Sequence, residues 1–326
     1  MIARLLRAAF GLVFFAALAS AFEPPRPPMP QGSSPADRPW NRDVHRWTST
    51  DGTIFRDAGV AIPRAGVPCV IDDWTGRLVA VFQWFPFDDR AAFDRIAFST
   101  STDGGRTWSP PARIAVDGLP GDLQRPFDPT IVRLRNGRFR LYFTSSPRGA
   151  PGRDPRLGPP PMRPAIYSAI GDTPGRFTME TGVRSPDAGA GVVDASVVRF
   201  RGRWHLFAHP HGGGARGAGY HAVSEDGLDF RRVEDVVVPG GQWIGNAFAE
   251  SDELLRYFGA AMGAPGGSGS VWSGRSRDGM EWTREPGPRA RGGDASVARL
   301  RDGSYLMLVV GDLRSDASDP PFRTGP

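Results

Sequence analysis

A short turn pattern, Ser-x-Asp-Gly followed within a few residues by an aromatic side chain, recurs along the chain at intervals of roughly 50–65 residues, a spacing that signals a repeat architecture. The clearest copy is Ser101-Thr102-Asp103-Gly104-Gly105-Arg106-Thr107-Trp108. Ser49 to Phe55, Ser224 to Phe230 and Ser276 to Trp282 are further copies, with Asp51, Asp226 and Asp278 at the aspartate position. A worn copy, Ser168-Ala169-Ile170-Gly171 leading to Phe177, fills the remaining gap. An aspartate in a tight turn accepts backbone N–H groups, and the glycine supplies the positive φ. Each copy therefore reads as a hairpin turn anchored by the aromatic, with its aspartate in a structural role.

A second pattern alternates with the first. Asp128 to Thr144, Asp194 to Ala208 and Asp294 to Leu308 each read as a strand, a Gly-containing turn and a second strand, rich in β-branched and aromatic residues. Val67 to Phe82 and Gly245 to Phe258 are weaker copies. Each unit thus holds four antiparallel strands, and such units repeated radially make a β-propeller. Five such hairpins predict five blades. The last of these hairpins has no Ser-x-Asp-Gly turn after it, and the first such turn has no hairpin before it. The two chain ends are therefore expected to complete one blade, placing Trp47 and Phe55 beside Tyr305 to Val309 and leaving no open sheet edge in the ring. The fold class is an all-β, five-bladed propeller closed by N- and C-terminal strands.

The N-terminus reads differently. Arg4 and Arg7 precede an apolar run from Ala8 to Leu18, followed by Ala19-Ser20-Ala21, the layout of a secretory signal cleaved after Ala21. The rival reading is an uncleaved anchor, but the run is short of the ~20 apolar residues that span a bilayer. Residues 1–21 are thus expected to be a signal peptide, 22–42 a Pro-rich linker and 43–326 the propeller, with a secreted or periplasmic location and no membrane contact after cleavage. Cys69 is the only cysteine and there is no lysine, which excludes an intramolecular disulfide, a thiolate metal cluster and lysine Schiff-base chemistry. The sequence pI is near 10.0, yet the arginines scatter over strands and turns without forming a stripe, so nucleic acid is not the expected partner.

Propeller topology brings the starts of the inner strands and the loops between second and third strands to one face, and the Ser-x-Asp-Gly turns to the other. Asp128, Asp194 and Asp294 open three of the five inner strands. Val67 and Gly245 take the equivalent places. Three equivalent carboxylates on one axis repel and perturb one another, which makes them the catalytic candidates. Arg125, Trp84, His209, His211 and Trp243 are the substrate-binding candidates on the same face. Two histidines without a clear third ligand do not make a metal site, and no metal or cofactor is expected.

The Ser-x-Asp-Gly turns resemble the Asp boxes of sialidases and related propellers. The Asp-Pro/Ala-x-Val strands with their Asn/Asp-Gly hairpins resemble the five-bladed glycoside hydrolases, such as families 43 and 32. The resemblance covers most of residues 45 to 315. It implies glycoside hydrolysis, with acidic residues at inner-strand starts as base or nucleophile, as general acid and as an aspartate tuning the acid. Those enzymes generally use Glu as the acid, whereas all three positions here are Asp. Sialidases have six blades, an Arg-Ile-Pro motif and an arginine triad, and Ile62-Pro63-Arg64 is a scrambled form of that motif. The implied partner is a glycan or polysaccharide, and an acidic one would suit the arginines. The alternative reading is a non-catalytic glycan- or protein-binding propeller. A third is a metal-dependent enzyme using His209, His211 and the channel aspartates.

Overall fold

A computed structural model describes residues 38–148, 163–212, 215–261 and 269–322. The expected signal peptide lies outside these residues, as does most of the Pro-rich stretch. The packed chain begins before residue 43, because Trp40 and Asn41 are already buried. Among the described residues no helix is long and apolar enough to cross a membrane.

Strands β1 (Arg42–Ser49) and β2 (Arg56–Ile62) come first in the chain and belong to the closing blade. The first blade is β3 (Ala65–Asp72), β4 (Leu78–Trp84), β5 (Arg95–Ser101) and β6 (Ala112–Arg113). A short β7 (Ala115–Asp117) then joins the outer edge of the second blade in parallel, beside β8 (Phe127–Arg133), β9 (Phe139–Ser145), β10 (Ala165–Thr173) and β11 (Arg176–Glu180). The third blade is β12 (Val192–Phe200), β13 (Arg203–Pro210) and β14 (Ala218–Ser224), with β15 (Arg231–Arg232) and β16 (Val236–Val237) both on β14. The fourth is β17 (Gly241–Ser251), β18 (Leu254–Ala261) and β19 (Ser270–Ser276), with β20 (Thr283–Arg284) and β21 (Ala290–Arg291) on β19. Strands β22 (Gly293–Arg299) and β23 (Tyr305–Leu313) complete the set.

The closing blade runs β22-β23-β1-β2, with Trp47 opposite Met307 and Ser49 opposite Tyr305. The chain ends meet as the repeat count requires. The five inner strands contact one another in a ring, β3 to β8, β8 to β12, β12 to β17, β17 to β22 and β22 back to β3. There is no single core. The buried apolar residues fall into wedges between neighbouring blades, such as Val70, Phe82 and Leu306 between the first and closing blades, or Phe207, Trp243 and Trp272 between the third and fourth. Each fully buried side chain of this size contributes about 1.5–3 kcal/mol, so the ring is held by the sum of its seams.

Polar clamps cross two of those seams at the periphery. Glu180 takes Arg140 and the Ser168 hydroxyl, while Arg184 donates to Ser168. Arg140 and Arg184 then reach the Asp226 and Leu228 carbonyls in the turn of the next blade. Glu285, Arg256, Ser273 and Arg289 repeat the arrangement two blades on, reaching the Gly52 and Thr53 carbonyls. This identifies the true role of the worn copy. Ser168 is not a turn serine. Gly171, opposite Phe139, holds the place that Ser101 holds opposite Leu78, and the chain reverses tightly between Thr173 and Arg176. Ser168 lies three residues earlier, inside the strand, where it serves the clamp.

Candidate functional site

Every inner strand slips register where the sequence pattern begins. The slips fall between Gly66 and Cys69, Phe127 and Thr130, Val193 and Ser196, Gly241 and Gly245, and Gly293 and Ser296. At each slip one residue is left-handed or nearly so: Val67 (φ 48°), Asp128 (49°), Asp194 (54°), Gly245 (149°) and Asp294 (47°). Such bulges re-aim a side chain. Asp tolerates positive φ better than most residues, while a β-branched Val there is an outlier. Strain of this kind costs of order 1–3 kcal/mol per residue and collects at functional sites. The result is one cavity on the axis lined by Asp128, Asp194, Asp294, Val67, Gly245 and Asn246. Its volume of about 20 Å³ has room for roughly one water.

The residue two places after each bulge ties the blades together. Ser296 Oγ accepts the Val70 N–H at 3.0 Å, and Ser196 Oγ accepts the Ala247 N–H at 2.7 Å. Thr130 donates to the Ala195 carbonyl, and Cys69 Sγ accepts the Ile131 N–H at 3.5 Å. In the fourth blade that residue is Ala247, and the preceding Asn246 takes over, its Oδ1 accepting the Val297 N–H at 3.2 Å. Cys69 thus serves as a member of a five-membered polar girdle beneath the carboxylates.

Electrostatics separates the three aspartates. Burial first, then the Asp294 charge, pushes Asp128 up to about 7, against the Thr144 hydroxyl, the Arg125 cation and the Asp194 backbone N–H, which favour its anion. Burial, Asp128 and Asp294 all push Asp194 well above the usual carboxylate range. Burial raises Asp294 to about 6, and Arg42 opposes it. The three carboxyls interact strongly and titrate as a unit, all shifted upward.

The other expected site residues are scattered. Trp243 is fully buried, packed on Phe207, Tyr257 and Trp272, with its indole N–H on the Gly217 carbonyl. It cannot serve as a sugar platform, because it is core between the third and fourth blades. Trp84 is partly buried and packs against the wedge between the first and closing blades. No aromatic side chain lines the cavity among the described residues. His209 sits on β13 opposite Val193, next to the Asp194 bulge, and its buried Nδ1 has no hydrogen-bond partner among the described residues. Burial, then His211, lowers its pKa. His211 is held by its backbone N–H on the Gly191 carbonyl. The segment between β9 and β10 lies largely outside the described residues, as do Gly213 and Gly214.

Arg125 is ion-paired with Asp94, a partner the sequence reading missed. Gln83 and Thr144, also missed as site residues, receive the backbone N–H groups of Asp128 and Asp194 at 3.4 and 3.3 Å. They occupy matching places on the second strands of consecutive blades, opposite Gly66 and Phe127, and that register is the signal by which they could have been found. Glu250 pairs with Arg256 and Tyr305 near the far end of β17, away from the carboxylates.

The four turn aspartates are engaged locally. Asp51, Asp226 and Asp278 each accept two backbone N–H groups through Oδ1, and Asp103 accepts those of Arg106 and Thr107. Each also receives its serine hydroxyl. These bonds hold the carboxyls below their ordinary range.

No family profile matches the sequence, and no curated protein is similar to it in sequence. Several solved structures share its fold. A family 32 glycoside hydrolase, the β-fructofuranosidase BmSUC1 of Bombyx mori, superposes with TM-score 0.55 at 13% identity, over 83% of this chain and 58% of that one. The α-L-arabinofuranosidase of Lactobacillus brevis gives 0.55 at 13% identity, over 80% and 88%. The endo-arabinase of Bacteroides thetaiotaomicron gives 0.53 at 15% identity, over 83% and 98%. The chain spans less than two thirds of the first of these and most of the other two. At these identities the likeness establishes the five-bladed propeller architecture.

Proposed function

We propose that this propeller is a carbohydrate-active enzyme that hydrolyses a glycosidic bond at the mouth of its channel. The observation that carries the reading is the convergence of Asp128, Asp194 and Asp294 on one cavity, in environments that make them unequal. Groups whose surroundings push their proton affinities apart supply acid and base for one reaction. Asp194, whose proton affinity burial, Asp128 and Asp294 all raise, is the general acid that protonates the leaving oxygen. Asp128, whose anion is favoured by Thr144 and Arg125, is the base or nucleophile. In the base role it takes a proton from a water that attacks the anomeric carbon as the C–O bond breaks. Asp294 is the third carboxylate, whose charge raises the proton affinity of the other two. The structural neighbours are named as enzymes of fructofuranosides and arabinans, which supports a glycan substrate. The arginines suit an acidic glycan and not a nucleic acid. The N-terminal signal would deliver the chain to the periplasm or the exterior. Edman sequencing of the exported protein should begin at Phe22.

The small cavity without an aromatic wall, with Val67 and Gly245 in place of two further carboxylates, favours a second reading: a non-catalytic glycan-binding propeller. Screening the mature chain against a glycan panel separates the two. Turnover lost in Asp128→Asn and Asp194→Asn with binding retained supports the enzyme. Binding without turnover by the unmodified chain, unchanged in both variants, supports the second reading.

A further inference from the structure

The five bulges are equivalent by fold, and the Asp128 bulge is backed by a buried ion pair. Asp94 lies in the loop between β4 and β5, 2% exposed, in left-handed backbone (φ 60°), with its N–H on the Trp84 carbonyl. One carboxylate oxygen of Asp94 accepts the Gln83 side-chain N–H, and the other is paired with Arg125. Gln83 in turn receives the Asp128 backbone N–H on its own oxygen. In the next blade the Thr144 hydroxyl accepts the Asp194 backbone N–H. Arg125 is nearly buried, and a buried guanidinium tied by a charge-assisted bond is held in one orientation.

We propose that Asp94 is a positioning residue for the channel carboxylate Asp128. One of its oxygens fixes Arg125 as the counter-charge of Asp128, and the other fixes Gln83 under the Asp128 bulge. The assignment rests on the enzymatic reading only in calling Asp128 the base; its geometry and its test do not depend on turnover. The charged and titratable groups facing Asp128 are Asp194, Asp294 and Arg125. Arg42 faces Asp294, and Tyr257 faces Asp194 and Asp294.

The test is a mutant cycle read by carboxyl ¹³C NMR titration of the mature full chain, with the Asp128 signal assigned from its loss in Asp128→Asn. Arg125→Met should raise the Asp128 midpoint about tenfold in proton affinity when Asp94 is present. In an Asp94→Ala background the same substitution should move it less than about threefold, because Arg125 is no longer held. An equal or larger shift in the Asp94→Ala background would overturn the proposal, and so would no shift in either background. Where Asp94→Ala does not fold, judged by near-UV circular dichroism, Asp94→Asn keeps the shape, removes the ion pair and reads the same cycle. Loss of this coupling with turnover still dependent on Asp128 would refute the positioning role alone. Coupling intact with turnover indifferent to Asp128→Asn would refute the catalytic reading alone.

Discussion

His205 Nδ1 lies 3.0 Å from His221 Nε2 in the third blade, and the Gly279 turn of the fourth blade sits directly on the His205 ring. The pair occupies, by register, the second- and third-strand places that Arg140 and Ser168 fill in the second blade. It is an uncharged counterpart of the polar clamps. Burial pushes His205 down to about 4 and His221 to about 3. The fold therefore favours neutral imidazoles. Their contribution is fully present above about pH 6.5 and is lost as pH falls through about 4. His221→Leu should cost about 1 kcal/mol at pH 7 from the lost bond and flatten the fall in Tm between pH 6 and 4. Calorimetry over that range checks it.

The channel carboxylates act with the opposite sign. Their native affinities for protons exceed those of the unfolded chain, so the native state holds extra protons between about pH 4 and 7. Stability falls as pH rises through that window. Asp194→Asn should leave Tm nearly unchanged at pH 4 and raise it by at least about 2–4 °C at pH 8, a gain of about 1 kcal/mol or more. A Tm difference independent of pH would show that the three side chains do not share one field.

Glu285 carries the densest of the buried clamps, paired with Arg256, Arg275 and Arg289. Removing one partner from such a group leaves uncompensated buried charge, at a cost of about 3–5 kcal/mol. Glu285→Ala should therefore unfold at markedly lower urea, with protection lost first in the Ser49–Phe55 turn that Arg256 and Arg289 hold. Hydrogen exchange resolves that order.

The girdle makes a narrower prediction. Ser196→Ala leaves the buried Ala247 N–H without its acceptor, which costs about 1–3 kcal/mol. Ser196→Cys should recover part of that, because a thiol already accepts the corresponding N–H at Cys69. Urea midpoints of the two variants decide it.

The blade count and the pairing of β1 with β23 were legible in the chain because hairpins are local. A Gly-containing turn sets the register of its two strands, and an incomplete hairpin at each end leaves only one way to close the ring. Asp128, Asp194 and Asp294 were likewise visible, since the same repeat that makes the hairpins places them at equivalent starts. The repeat misled only at Ser168, where the letters of a turn fall inside a strand. The site's surroundings were not legible. Trp243 carries the residue type of a sugar platform, and only packing between blades shows that it is core. Asp94 stands in no motif. Its partner Gln83 is 11 residues away across the hairpin of its own blade, and Arg125 is 31 residues away, in a segment that meets it only when two blades do. Local chemistry is written in adjacent residues. Which charge faces which is decided by the seams between sheets, where the contacts are distant in sequence and the burial that gives them strength exists only in the closed ring.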